Sequence, residues 1–236
     1  MTALQDADQE VLPEPRLPVA RSSRQRGLPF FCKRTLDVLV AAGVGVALSP
    51  VAAAVAVAIK VDSPGPVIYR GTRVGQRGEL FTMFKFRSMR ADADDAMHIA
   101  YVERLMRDKD SSNNGDQADM FKLEDDPRIT RVGRWIRRLS IDELPQLVNV
   151  VRGEMSLVGP RPEVPAVLSV YQPQQFRRFA VLPGMTGLWQ VNGRGKLSPA
   201  DMIRLDVDYA DNWTLGTDLA ILLRTPAVVL KKTGAE

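Results

Sequence analysis

The sequence predicts an α+β fold, mostly helical: a re-entrant membrane helix-break-helix, further helices lying at an interface, and a small β-hairpin, grouped around a cytosolic domain. Three observations predict it. An uncharged run over residues 38–59 is interrupted near its middle by Ser49-Pro50 and is flanked on both sides by basic residues. Two short segments rich in aromatic and β-branched residues, 67–69 and 80–87, lie either side of Gln76-Arg77-Gly78, as the strands of a hairpin do. Beyond them the chain alternates polar turns with apolar residues at helical spacing.

Composition narrows the chemistry. With 236 residues, 45% of them hydrophobic, the chain can build one substantial domain with an appendage. Its formal charge of +4 and sequence pI of about 9.4 suit nucleic acid, anionic lipid or phosphorylated substrates alike. A single cysteine, Cys32, excludes an internal disulfide and a cysteine metal site. A single histidine, His98, excludes Ser–His–Asp and Cys–His chemistry and His-rich zinc sites. Acid, base and nucleophile roles therefore fall to carboxylates and lysine. Any metal is a hard cation held by oxygen, Mg²⁺ first among them.

Taken in order, residues 1–28 are rich in Pro, Arg and acidic side chains and read as a disordered tail, without the basic-then-apolar order of a signal peptide. Residues 29–61 form the hairpin. As one straight helix the run 38–59 would span roughly 33 Å, enough to cross a bilayer. Pro50, however, removes a backbone hydrogen bond and kinks the helix. Arg21, Arg24, Arg26, Lys33 and Arg34 precede the run, and Lys60, Arg70, Arg73 and Arg77 follow it. The positive-inside rule then puts both ends on the cytoplasmic side. A helix that enters, turns at Ser49-Pro50 and returns satisfies both observations, with Ser49 offering a partner to the freed backbone. A kinked spanning helix and a buried core helix are the competing readings.

Residues 62–236 form the remaining domain. Asp62-Ser63-Pro64-Gly65-Pro66 is a sharp turn. In the second strand Phe81, Met83, Lys85 and Arg87 share one face. Lys85 and Arg87 suit phosphate binding, or equally a solvated position beside a membrane surface. Residues 91–108 read as a helix whose early Asp92, Asp94 and Asp95 fit the charge preference of a helix N-terminus better than a metal cluster. Residues 111–119 read as a mobile loop. Arg131, Arg134, Arg137 and Arg138 recur at threes and fours and line one helix face, with Trp135 beside them at headgroup level. No base-reading motif accompanies them, so an anionic membrane surface plus a phosphate contact fits better than nucleic acid.

Two adjacent carboxylates, Asp142-Glu143, follow this basic stretch. Ser140 with Glu143 three residues on has capping-box spacing, which would put Asp142 at the second position of a helix with a buried face of Leu144, Leu147, Val148 and Val151. The helix dipole then favours the ionised Asp142, a plausible nucleophile; equally, the residues merely cap a helix. In Gly159-Pro160-Arg161-Pro162 two rigid residues fix one arginine, which lowers its entropy cost on binding phosphate or carbonyl. The stretch 183–194, glycine-rich and bearing Trp189, reads as a loop able to stack or hydrogen-bond a sugar or base, but its glycine spacing is not that of a dinucleotide fingerprint. Ser198-Pro199 opens a helix carrying Asp206 and Asp208. The C-terminal run 215–230 is apolar but interrupted by Asp218, Arg224 and Pro226, so it packs or lies at an interface rather than spanning.

In this order, Lys33-Arg34 before Ser49-Pro50, Lys85-Phe86-Arg87-Ser88-Met89, Asp126-Pro127-Arg128, Asp142-Glu143-Leu144-Pro145-Gln146, Gly159-Pro160-Arg161-Pro162 and the 183–194 stretch resemble the bacterial sugar transferase family, the monotopic phosphoglycosyl transferases. The resemblance covers residue 33 to the C-terminus and favours the re-entrant hairpin and a catalytic Asp142. It implies transfer of a sugar-1-phosphate from a UDP-sugar to undecaprenyl phosphate, with UMP leaving, at the cytoplasmic face of the bacterial inner membrane. It implies Asp142 as nucleophile of a ping-pong reaction, Glu143 beside it, and Mg²⁺ as cofactor, with Asp142 and Glu143 the metal ligands. It assigns phosphate contacts to Arg137 and Lys85, with Arg87 alongside, nucleotide contacts to Pro160, Arg161 and Pro162, and a further active-site position to Asp206. Family members with longer chains carry extra membrane helices ahead of this core, so the chain reads as a short catalytic form. The 189–194 segment resembles transferases of glucose- or galactose-1-phosphate for exopolysaccharide. Partners implied are the two substrates and membrane lipids, not nucleic acid; a homodimer is left open. Whether Glu143 closes a capping box, ligates metal or accepts a proton is also left open. The competing class is a non-catalytic membrane-surface scaffold of a polysaccharide assembly complex.

Overall fold

The computed structural model describes residues 27–90, 128–193 and 197–232. Expectations for the tail 1–26, the helix 91–108 with its three aspartates, the loop 111–119 and Arg194 lie outside these residues.

The chain opens with two helices, α1 (Leu28–Ala47) and α2 (Ser49–Asp62), bent by 61° at Leu48. The bend follows from Pro50, which cannot donate a hydrogen bond to the Val46 carbonyl four residues back. The Ser49 hydroxyl donates to that carbonyl instead, at 2.8 Å. No single helix among the described residues is long and apolar enough to cross a membrane, whereas the bent pair is when taken together. Much of the pair's apolar surface faces outward: Leu39 is 66% exposed, Val46 76% and Val57 64%.

Strands β1 (Ile68–Val74) and β2 (Leu80–Phe86) pair antiparallel with Tyr69 opposite Lys85 and Gly71 opposite Met83. This is the hairpin expected from the sequence, with a first strand longer than 67–69. Helix α3 (Arg131–Arg138) carries the basic residues. Its N-terminus is capped twice: the Thr130 hydroxyl accepts from Gly133 N–H at 2.9 Å, and Asp62, the last residue of α2, accepts from Val132 N–H at 3.0 Å. Gly133 is required here because a Cβ would lie 1.9 Å from the Ser88 carbonyl oxygen just beyond β2. The first turn of α3 is thereby fastened to both the hairpin and the sheet.

After α3 comes a single 3₁₀ turn, Ile141–Glu143, and then helix α4 (Gln146–Arg152). The capping-box expectation fails. Ser140 has φ 54°, a left-handed conformation, makes no side-chain cap, and Pro145 occupies the cap position of the helix that follows. The buried face is also offset: Gln146, Leu147, Asn149 and Val150 are buried, whereas Val148 and Val151 are 46% and 47% exposed.

Strands β3 (Ser156–Val158) and β4 (Gly184–Thr186) form a short parallel pair. Between them run 3₁₀ segments Pro165–Val170 and Pro173–Ala180. Helices α5 (Leu188–Gly193), α6 (Pro199–Asn212) and α7 (Leu215–Lys232) complete the chain. Ser198 caps α6 as its sequence predicts, accepting from Asp201 N–H at 3.1 Å. The stretch read as an open loop is β4 and α5, and its Trp189 is only 9% exposed, packed inside rather than offered to a ligand.

Three apolar clusters hold these parts. The largest joins Ala41 of α1 to Met83, Val150, Val158, Tyr209 and Ile221. A second joins Val74 to Val167, Phe179 and Ile203. The third packs Val55 and Ile59 of α2 against Phe86, Ile136, Ile141 and Leu144. Ile141 and Leu144 flank the carboxylate pair, so the second arm of the bent helices supports the turn directly.

Lys33 and Arg34, read in the sequence as a basic flank, are spent inside the protein. Lys33 is 2% exposed and donates to Asp218 at 2.5 Å and to the Val158 carbonyl at 3.1 Å. Arg34 donates to the carbonyls of Val150, Val151 and Met155, at and just beyond the C-terminal end of α4. Asp218 does not interrupt α7 but is its anchor, also accepting from Tyr209 at 2.6 Å and Trp213 at 2.9 Å.

Candidate active site

The 3₁₀ turn projects two half-buried carboxylates beside the end of β2. A tight turn between two apolar anchors, Ile141 and Leu144, lets Asp142 and Glu143 point away from the cluster that holds their neighbours. Glu143 Oε1 lies 3.4 Å from Lys85 Nζ and 3.8 Å from Arg161 Nη1. Lys85 comes from the hairpin, Glu143 from the turn and Arg161 from the segment after β3, so three separate elements converge.

Burial lowers the Lys85 ammonium below the ordinary lysine range. Glu143 and Asp142 pull it back up, while Arg161 and Arg73 push it down. Asp142 is therefore within electrostatic reach of Lys85. The arrangement alternates charge, anion beside cation, with each cation only loosely held by its partner. At these distances, with Arg161's side chain 45% exposed, a phosphate can displace the weak pairs and take the cations for itself.

The rigidity of Arg161 comes from behind. Arg178, 3% exposed, donates from one nitrogen to the Arg161 carbonyl at 2.9 Å and to Asp206 at 2.5 Å. From the other it donates to Glu163 at 2.9 Å and to the Tyr171 hydroxyl. Asp206 is 1% exposed, and burial raises its carboxyl to about 6 against the opposing pull of Arg178. Asp206 thus stands one layer behind the exposed groups and holds the arginine that holds Arg161. Tyr171, buried between Arg178 and Glu163, is pushed up beyond the usual phenol range by that burial.

The sequence-predicted residues sort clearly. Lys85, Glu143 and Arg161 are brought together, with Asp142 beside them. Pro160 is buried and Pro162 half-buried, bracketing Arg161 as expected. Arg137 is half-buried at the end of α3, and its carbonyl accepts from Ser140 N–H at 3.1 Å, which sets the start of the turn. Arg87 does not join the site. It is 5% exposed and donates to the Ser63 and Pro64 carbonyls and the Ser63 hydroxyl at 2.7–2.8 Å, locking the turn that leaves α2. Its sequence position, two residues after Lys85, implied a shared role; the strand pairing does run on to it, with Arg87 N–H donating to the Val67 carbonyl at 2.9 Å, but its guanidinium is taken by the turn after α2. Arg178 was not singled out in the sequence, and only a pairing across 28 positions with Asp206 would have revealed it.

Among the described residues no cluster of three or more metal-binding side chains exists. Two adjacent carboxylates nonetheless fit Mg²⁺, which uses one or two carboxylates and draws the rest of its shell from substrate phosphates and water.

The Bacterial sugar transferase family model matches residues 28–232. The chain is 42% identical to "Galactosyl transferase CpsE" of Streptococcus agalactiae over 88% of its own length and 44% of that protein's. It is 42% identical to "Undecaprenyl-phosphate galactose phosphotransferase" of Salmonella typhimurium over 91% of itself and 42% of that protein. It is 40% identical to "Exopolysaccharide production protein ExoY" of Sinorhizobium fredii over 85% of itself and 86% of that protein. The chain thus spans less than half the length of the first two of these relatives and most of the third. With its helix pair, convergent charged site and nearly full match, the chain belongs to the bacterial sugar transferase family.

Proposed function

We propose that this chain transfers a sugar-1-phosphate, glucose- or galactose-1-phosphate, from a UDP-sugar to undecaprenyl phosphate and releases UMP. This is the first membrane step of exopolysaccharide or related glycoconjugate synthesis, at the cytoplasmic face of the bacterial inner membrane. The observation that carries it is the placement of Asp142-Glu143. The pair sits on a turn buttressed by one arm of a bent apolar helix pair and faces two cations able to take a diphosphate.

In this reading Asp142 attacks the phosphorus that bears the sugar. The bond from that phosphorus to the bridging oxygen breaks, and UMP departs with it. The resulting aspartyl-phosphosugar is then attacked by an oxygen of undecaprenyl phosphate, which restores Asp142 and forms the polyprenyl diphosphate sugar. Lys85 and Arg161 offset the charge that builds on the non-reacting oxygens, and a loosely paired ammonium loses little in exchanging Glu143 for phosphate. Asp142 and Glu143 would hold Mg²⁺, which when bound neutralises diphosphate charge. Arg178 and Asp206 act at one remove by fixing the segment that presents Arg161.

The hairpin explains why the chemistry belongs at a membrane. Its exposed leucines and valines favour lipid, and the Ser49 hydroxyl satisfies the carbonyl that Pro50 orphans, as a helix entering and leaving one leaflet requires. Undecaprenyl phosphate carries its phosphate at headgroup depth, where the supported turn meets it. Several relatives support this reading by name, among them "UDP-glucose:undecaprenyl-phosphate glucose-1-phosphate transferase" of Caulobacter vibrioides. The test is UMP release by membranes containing the protein, with UDP-glucose and UDP-galactose in turn and undecaprenyl phosphate as acceptor. Release dependent on one of these sugars and absent in Asp142→Asn supports the reading. No release with any UDP-sugar overturns it.

A further inference from the structure

We infer that Arg73 is a third phosphate-binding cation of this site, one that reaches the bound diphosphate by lying over Gly71. The inference rests on the reading of the site as a sugar-nucleotide site.

Tyr69, Gly71 and Arg73 alternate along β1 and so present one face of the hairpin, the face that carries Phe81, Met83 and Lys85 on the paired strand. Position 71 has no side chain. A Cβ built there would lie 3.1 Å from Arg73 Nη1, 3.1 Å from the Tyr69 hydroxyl oxygen and 2.9 Å from Tyr69 Cε1. The guanidinium of Arg73 therefore folds back along the strand, through the space a side chain at 71 would fill. The Tyr69 ring borders the same space, and Tyr69 is the residue directly opposite Lys85. Folded over Gly71, the guanidinium runs toward the level of Lys85 on the face the two strands share.

Like charges are not drawn together without a reason. Lys85 and Arg161 lie 3.4 Å and 3.8 Å from Glu143, and Arg73 shares the Lys85 face of the hairpin, so cations gather from three elements. The diphosphate of a sugar nucleotide brings two negative charges and a row of acceptor oxygens, which suits such a group. Arg73 Nη1 donates to the Thr72 carbonyl at 2.8 Å, which orients the guanidinium and uses one of its five N–H donors. The nucleotide diphosphate is the source that fits, because a guanidinium pairs bidentately with phosphate oxygens and Arg161, beside Glu143, is already held for such a contact by a buried scaffold.

The test uses the full chain in detergent or nanodiscs and measures UDP binding together with the KM of each substrate. Wild type, Asp142→Asn, Arg73→Gln, Arg73→Lys and Gly71→Ala are compared, with melting curves for each. Arg73→Gln is expected to weaken UDP binding and raise the UDP-sugar KM by about tenfold, with the KM for undecaprenyl phosphate unchanged. Arg73→Lys should recover part of the loss. Gly71→Ala, whose Cβ would sit 2.9–3.1 Å from the ends of the Tyr69 and Arg73 side chains, should give a smaller rise in the same KM. Wild-type UDP affinity in Arg73→Gln or, should that variant fail to fold, in Arg73→Lys, or a change confined to the lipid substrate, overturns the inference while active wild type leaves the proposed function standing. A wild-type protein that neither binds UDP nor releases UMP overturns both, and Asp142→Asn that binds UDP without turnover separates binding from chemistry.

Discussion

Asp206 and Lys85 show how single groups decide behaviour here. Asp206 has its carboxyl raised by burial to about 6, from 3.8. A folded-state value above the unfolded one means that folding takes up a proton between those pH values, so this group contributes more stability in acid than at neutrality. Acidification through about pH 6 should therefore not unfold the protein at this point. It should discharge Asp206 and loosen Arg178's hold on the Arg161 segment. The expected outcome is a fall in UMP release as pH drops from 7 to 5 with no matching fall in melting temperature. Asp206→Asn should be slow at pH 7.5 and lack that part of the acid limb. Loss of activity and of fold at the same pH, in both proteins, would contradict this. For Lys85, replacement by Gln would, in the proposed reaction, remove a charge that offsets the reacting phosphate, and kcat/KM should then fall about a hundredfold. The ion pair it loses is partly exposed, so stability should change little, by less than about 1 kcal/mol.

At the scale of elements, the parts legible in the sequence are those whose cause is local. Ser49-Pro50 breaks the apolar run because a proline lacks an N–H wherever it sits, and Ser198-Pro199-Ala200-Asp201 caps α6 by contacts within one turn. The β-hairpin and the basic helix α3 follow from short-range patterns in the same way. Local pattern misled at Ser140, where capping-box spacing met a backbone in the left-handed conformation, and again at Val148 and Val151, which are half exposed. The carboxylate pair was visible as two adjacent residues, but its mounting on a 3₁₀ turn was not.

What the sequence could not display is long-range pairing. Lys33 meets Asp218 across 185 positions, and Arg34 meets the end of α4 across more than 110. Both looked like exposed topology signals because charge is visible in a sequence and its partner is not. This pairing makes a sharp prediction about the first helix. Lys33→Met leaves Asp218 buried without its cation, which should cost about 3–5 kcal/mol and show as a lowered melting temperature in detergent. Lys33→Met with Asp218→Leu should recover part of that, since the Asp218 charge goes with its partner, while buried Asp37, 4.0 Å from Lys33 Nζ, keeps the rest of the cost. A single variant as stable as wild type would mean that the pair does not fasten α1. Asp62→Ala removes one of the two caps on α3 and should cost about 1 kcal/mol, read in the same melts.

In the molecule as a whole, the bent helices and the chemistry are one construction. The first arm is fastened to α4, β3 and α7 by Lys33, Arg34 and Asp37, whose carboxylate accepts from Leu157 N–H at 3.2 Å. The second arm packs Val55 and Ile59 beneath the turn that carries Asp142 and Glu143. Exposed apolar surface on both arms and Trp135, 52% exposed on α3, lie outside this packing, available to a lipid surface. A turn held this way has a fixed position relative to the helix pair, as the proposed reaction between one water-soluble and one lipid-borne substrate would require. The central claim is that the Asp142 carboxylate becomes esterified to a phosphosugar. Its most direct measurement mixes purified protein with a UDP-sugar labelled in the sugar, omits the lipid acceptor, and follows UMP and protein-bound label together. The account predicts a burst of UMP equal to the enzyme present, label on the protein at Asp142, and neither in Asp142→Asn; UMP that appears only after undecaprenyl phosphate is added, with no label on the protein, would contradict it.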